Sequence, residues 1–96
     1  MQKAIVLDAR DNVATAIADL EPGDILTLKE PGGGSDSIQI PAAIPLGHKF
    51  AREDISRGSD IIKYGEIIGR ATREIGRGTH VHVHNLESIR GRGDLA

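Results

Sequence analysis

One short pattern recurs along this chain and limits what it can fold into. An apolar residue is followed by two spacers, a glycine, two more spacers and a second apolar residue. The triads are Leu20-Gly23-Leu26, Ile55-Gly58-Ile61 and Ile75-Gly78-Val81. The last two sit in a longer repeat, in which "AREDISRGS" (51–59) aligns with "ATREIGRGT" (71–79). Ala51 matches Ala71, Ile55 matches Ile75, Arg57 matches Arg77 and Gly58 matches Gly78. The first apolar residue anchors a short helical or 3₁₀ turn in the core. Glycine supplies the positive φ that ends it, and the chain then enters a strand. Three such corners predict a small, bent, mainly β domain with short helical turns.

The segments between the corners agree. "QKAIVLD" (2–8) is apolar and β-branched and reads as a first strand. "DILTLKE" (24–30) alternates, and "SIQIPAAIP" (37–45) places Ile38 and Ile40 on one face before Pro41 ends the strand. Glycine, 12 of 96 residues, cuts the second half into pieces too short for stable helices. One segment reads differently. In "DNVATAIADLEPGD" (11–24), Val13, Ile17 and Leu20 recur at helical spacing behind a candidate N-cap, Asp11. This predicts a short helix stopped by Pro22-Gly23. The division is a domain over residues 1–89 and a tail over 90–96. The tail has little periodicity and is expected to be extended or disordered unless a partner holds it. Its Arg-Gly-Asp tripeptide reads as coincidence, or as part of an arm that docks on a partner.

Composition removes several classes of function. Without cysteine there are no disulfides, thiolate metal sites or cysteine nucleophiles. One Phe, one Tyr and no Trp leave no stacking platform for single-stranded nucleic acid, and a net charge of −2 leaves no basic footprint. No apolar run approaches membrane-spanning length, and the N-terminus lacks a signal-peptide core. The reading is a cytoplasmic chain with no nucleic-acid or membrane partner. There is no Walker loop, GxSxG or HExxH; "PGGGSD" (31–36) is glycine-rich but opens no helix.

"GTHVHVHN" (78–85) concentrates three of the four histidines. On a strand, His80, His82 and His84 form one row, with Val81 and Val83 on the core side. Neighbours in such a row lie roughly 6.5–7 Å apart, and the outer pair roughly 13 Å. Three histidines of one straight strand therefore do not share one ion; two of them, His82 and His84, do so only with ligands from elsewhere. A solvent-facing polar edge and an anion-binding row are the other readings. His48-Lys49 follows a turn signal, and Lys63-Tyr64 follows the apolar pair Ile61-Ile62. Both lysines are either solvated surface charges or cations for a substrate carboxylate.

"NVATAIADLEPGD", "IPLGHKFA", "DISRGSDIIKYGEIIGRAT" and "IGRGTHVHVHNLES", in that order and spacing, resemble the small N-terminal domain of the altronate/galactarate dehydratase family. The similarity covers residues 8–89. That domain is of the SAF type, and the fold it implies is the β-clip, also seen in type III antifreeze proteins and sialic acid synthase. In the family it accompanies a large catalytic region, in the same chain or as a separate subunit. The sulfolactate sulfo-lyases are similar in carrying it as its own polypeptide, and "NLESIRGRGDLA" looks like the natural end of such a small polypeptide.

The resemblance implies β-elimination from a small anionic hydroxy or sugar acid by a hydro-lyase completed by a large dehydratase-type subunit. It also implies a divalent metal such as iron. It marks His48, Lys49, Lys63, Tyr64, His80, His82 and His84 as substrate-binding positions and assigns no catalytic base; His82 and His84 remain the candidate metal pair from the strand reading. The alternatives are the small subunit of a sulfolactate sulfo-lyase and a non-catalytic ligand-binding or assembly module. A homo-oligomer stays open. The chain departs from longer family members in its extra glycine-rich turn and in lacking a cluster of carboxylates to complete a metal site.

Overall fold

The computed structural model describes residues 3–88. It is mainly β, as expected, with nine strands and no helix among those residues. In chain order they are β1 (Ala4–Ile5), β2 (Val13–Ala16), β3 (Ile25–Lys29), β4 (Ser35–Gln39), β5 (Lys49–Ala51), β6 (Asp60–Lys63), β7 (Glu66–Ala71), β8 (His80–Val81) and β9 (Leu86–Ser88). All pairings are antiparallel and form three sheets, β1-β2-β5-β8, β3-β4 and β6-β7-β9. No described helix is long and apolar enough to cross a membrane.

The triads are corners, and there are four. The one the sequence pattern left out is Ile44-Gly47-Phe50, with the same spacing. The turns are β-turns rather than the expected helical ones. Each is closed by an N–H to C=O bond across four residues: Asp24 to Glu21 (3.1 Å), His48 to Pro45 (3.0 Å), Ser59 to Ser56 (3.0 Å) and Thr79 to Gly76 (3.0 Å). Glycine at the third position, with φ between 87° and 92°, marks the type II class. Both apolar residues of every triad are buried.

The corners work in reciprocal pairs. Leu20 and Ile44 exchange backbone hydrogen bonds of 2.8 and 2.9 Å, and so do Ile55 and Ile75. The residue four before each leading apolar position then grips the partner's corner. Ala16 donates to His48 O and accepts from Gly47 N–H; Ile40 does the same to Asp24 and Gly23. Ala71 grips Ser59 and Gly58, and Ala51 grips Thr79 and Gly78. One acid in front of the leading residue also caps the partner turn. Asp19 accepts from Leu46 N–H (2.9 Å), Asp54 from Arg77 N–H (2.9 Å), and Glu74 from Arg57 N–H. The remaining corner, Leu20-Gly23-Leu26, has Pro22 at the receiving position, which has no N–H, and the residue facing it by the same rule is Ala43 rather than an acid.

Each corner pair carries its own core. The first gathers Leu20, Leu26, Leu28, Ile38, Ile40, Ile44 and Phe50, and the second Val13, Ala51, Ile55, Ile61, Ala71, Ile75 and Val81. The four-stranded sheet is the seam between them, because β5 leaves a corner of the first pair and β8 a corner of the second. Arg77 ties the halves together, donating to Asp36 Oδ2 (2.7 Å), Ser37 O (2.7 Å) and Arg52 O (3.1 Å).

Two expectations are corrected. Residues 11–24 are not a helix. Val13–Ala16 pairs with β1 on one side and β5 on the other, and Ile17, expected on the helix's apolar face, is exposed. Asp11 is buried, not as an N-cap but as the acceptor for Gly65 N–H at 2.8 Å. The tail over 90–96 lies outside the described residues.

Candidate functional site

The histidine strand is shorter than expected. It ends at Val81, and residues 82–85 form a turn. Val81 is fully buried, but Val83 is 80% exposed and does not line the core. Asn85 closes the turn from within. Its side-chain Oδ1 accepts from His82 N–H (3.0 Å), its Nδ2 donates to His80 O (2.9 Å), and its backbone N–H donates to His82 O (3.0 Å). Asn85 is 2% exposed, and all these bonds are made where water does not compete. Sequence reasoning missed this residue. Its signal was an Asn straight after a polar run, the residue type that bonds its own backbone in turns.

The turn curls His82 back beside His80, and the pairing of β5 with β8 brings in His48. Phe50 lies opposite His80 and Lys49 opposite Val81. His48 Nδ1 and His80 Nε2 are 2.8 Å apart. His82 stacks on His48 with ring centres 4.7 Å apart, and on His80 at 5.4 Å. One ring nitrogen from each of the three lies within 4.8 Å of the others. His84 tilts against His80 at 5.5 Å but stands outside that group. The ligand set the geometry favours is thus His48, His80 and His82, and the partner that joins His80 and His82 is His48, from the corner just before β5, rather than His84.

Lys49 extends the site. It is half-buried, and desolvation, then the nearby charge of Lys63, pushes its pKa down. Lys63 ends β6 and lies over the Tyr64 ring, 4.9 Å from its centre. Tyr64 and Gly65 form a two-residue hairpin loop with φ of 55° and 76°, the type I′ geometry that suits the twist of β6 and β7. Positive φ is uncommon for Tyr. The hairpin is pinned from outside by Asp11 on Gly65 and by Asn12, which accepts from Ile62 N–H (2.8 Å) and donates to Asp60 O (2.8 Å).

Burial, then the charge of His48, pushes the His80 pKa below its ordinary value; desolvation, then His48 and Lys49, does the same for His82. Neutral imidazole is the form that accepts a proton or ligates a metal. The donor set is three nitrogens with no carboxylate in the group, which suits an imidazole-preferring divalent ion such as zinc or iron and not calcium or magnesium. The resemblance implies a divalent metal; the residues that would hold one here are His48, His80 and His82, with His84 outside the group. The lysines beside them are donors for an anionic group.

Residues 2–89 match the family model described as the altronate/galactarate dehydratase SAF domain. The chain is 41% identical to an altronate dehydratase of Escherichia coli (strain K12) over 84 residues, covering 88% of this chain and 16% of that one. An altronate dehydratase of Bacillus subtilis is 35% identical over 88 residues, and the chain spans 17% of its length. The (2R)-sulfolactate sulfo-lyase subunit alpha of Chromohalobacter salexigens is 37% identical over 92 residues, covering 90% of this chain and 94% of that subunit. The two dehydratases are much longer than the matched region, whereas the sulfo-lyase polypeptide is almost coextensive with it. By the family match and this similarity, the chain belongs to the altronate/galactarate dehydratase SAF-domain family.

Proposed function

We propose that this chain is the small subunit or domain of a lyase and supplies one wall of an active site that a larger catalytic partner completes. The observation that carries the reading is the convergence of His48, His80 and His82 with Lys49 on one seam, within a family whose relatives are named dehydratases and a sulfo-lyase subunit. The reaction class is β-elimination. The proton next to a carboxylate leaves to a base, its electrons form the C=C bond, and water or sulfite departs from the neighbouring carbon.

In this reading Lys49 and Lys63 hold the substrate carboxylate. An ammonium in a partly desolvated surface binds an anion more strongly than one in bulk water. Tyr64 places the Lys63 ammonium by cation–π contact. The imidazoles of His80 and His82, whose pKa values burial pushes down toward the neutral, proton-accepting form, accept or return a proton at the reacting centre. A divalent ion bound here would supply Lewis acidity at the carboxylate and hydroxyl oxygens. The substrate is a small hydroxy or sulfo acid, and the setting is the cytoplasm.

The test is reconstitution. The chain co-expressed with a large dehydratase-type subunit is assayed on altronate, galactarate and (2R)-sulfolactate. Turnover in the complex, absent from either part alone and lowered at least tenfold by Lys63→Ala, is expected. A complex that forms but acts on none of these acids overturns the lyase reading and favours an assembly module.

A further inference from the structure

We infer that His48, His80 and His82 form a binding site for one divalent first-row transition metal within this chain itself, with the remaining coordination positions facing outward. This names a ligand for the site that the lyase reading places against substrate, but it rests on geometry that needs no second polypeptide.

The argument starts from distance. Zinc and similar ions bind imidazole nitrogen at about 2.0–2.1 Å, so three ligand nitrogens on one ion must lie within about twice that of each other. The three rings reach within 4.8 Å, and His48 Nδ1 and His80 Nε2 are already 2.8 Å apart. All three side chains are only partly buried, so rotation about their χ angles is the movement that would close the remaining difference. The 2.8 Å contact needs one proton between the two nitrogens. When an ion takes that position, the donating ring shifts its proton to its far nitrogen, and both near nitrogens ligate as neutral imidazoles.

The backbone behind the rings is fixed. His48 follows a corner gripped by Ala16, which donates to His48 O at 2.8 Å. His80 and His82 are held by Asn85 through their backbone groups. Sites on supported backbone ligate with less reorganisation than flexible histidine clusters. Three protein ligands leave at least one position open, as in catalytic rather than structural sites. No carboxylate among the described residues stands in the group to fill it.

The experiment uses the full 96-residue chain without a partner. Co(II) is titrated and its visible absorption followed, and Zn(II) binding is measured by calorimetry. One ion per chain is expected. His48→Ala, His80→Ala and His82→Ala each weaken binding at least about 100-fold, and Asn85→Ala weakens it about tenfold as a positioning residue. His84→Ala stays within about twofold. Because a histidine variant could misfold, imidazole proton signals of the unmodified chain provide a second reading. Zn(II) shifts those of His48, His80 and His82 and leaves those of His84 in place. Absence of binding, or equal dependence on His84 and His48, overturns the site. Activity plays no part in this measurement, so its failure leaves the lyase reading standing, and an inactive complex leaves the metal site standing.

Discussion

Corners two and four of this fold lead into the short strands β5 and β8, whereas corners one and three lead into the longer hairpins β3-β4 and β6-β7. The turns share glycine geometry, closing hydrogen bond and paired apolar anchors. What differs is the pair of residues after each glycine. At corners two and four these are His48-Lys49 and Thr79-His80; at corners one and three they are Asp24-Ile25 and Ser59-Asp60. Because β5 pairs with β8, the two histidine-bearing corners meet, while the other two lie on separate hairpins. The device that builds the fold four times thus becomes a site once, where the two halves join.

The comparison is broken most severely at Gly78. A Cβ there would lie 2.8 Å from the Gln39 carbonyl of the other half, and the residue has φ of 89°. Gly58, at a hairpin corner, has φ of 87° with nothing within 4 Å of a new Cβ. Gly78→Ala is expected to cost about 3 kcal/mol, from left-handed strain plus overpacking against backbone, and Gly58→Ala about 1 kcal/mol, from strain alone. Urea unfolding of the two variants checks this. Equal losses would mean that corner four does not bear on the first half.

Asn85→Ala comes next. It leaves the His82 N–H and the His80 C=O without their side-chain partner in a buried position, at a cost of about 2 kcal/mol. Asn12 makes the same pair of bonds at the third corner, to Asp60 O and Ile62 N–H, but no histidine stands there, so only the Asn85 loss should come with weaker metal binding. A stability loss with metal affinity intact would separate the turn from the site.

These two residues also show what the sequence could and could not reveal. The corners were readable because each is local: two apolar anchors and a glycine within seven residues, with their meaning set by backbone sterics. Even so, Ile44-Gly47-Phe50 does not stand out beside the others, since Phe and the flanking Pro45 hide the likeness. Residues 11–24 misled because Val13, Ile17 and Leu20 match helical spacing, while the decisive fact is non-local: Val13–Ala16 is needed between β1 and β5. The same holds for the site. His80 and His82 stand out as a run, but their meeting with His48 depends on pairing between segments 32 residues apart.

A smaller effect sharpens the reciprocity within the pairs. Asp54→Ala removes the acceptor for Arg77 N–H and is expected to cost about 1 kcal/mol. Ala43→Asp, at the equivalent position facing Pro22, is expected to change stability by less than about 0.5 kcal/mol, because proline has no N–H to receive it. Thermal unfolding distinguishes them. A clear gain from Ala43→Asp would show that the acids act through general charge rather than through capping.

The weakest expected effect is pH dependence confined to the joining sheet. In the folded chain the His80 and His82 pKa values lie below ordinary histidine. Burial is the main cause, followed by the charges of His48, Lys49, His84 and, for His80, His82. By about pH 7.5, a unit above the ordinary histidine value, both rings are almost wholly neutral whether the chain is folded or unfolded, and they contribute almost no slope. Below it the unfolded chain takes up protons that the folded chain refuses, so stability falls with falling pH until the folded rings also protonate. Asp8, held down to about 2 by hydrogen bonds from Arg10, stays ionised throughout and adds nothing there. The metal-free chain should therefore melt at a lower temperature near about pH 5 than near about pH 7.5. The drop should shrink in His80→Gln/His82→Gln and persist in Ser59→Ala at a hairpin corner. An undiminished drop in the double variant would place the pH response in the carboxylates that cap the turns, spread over both halves, and not in the histidines where they join.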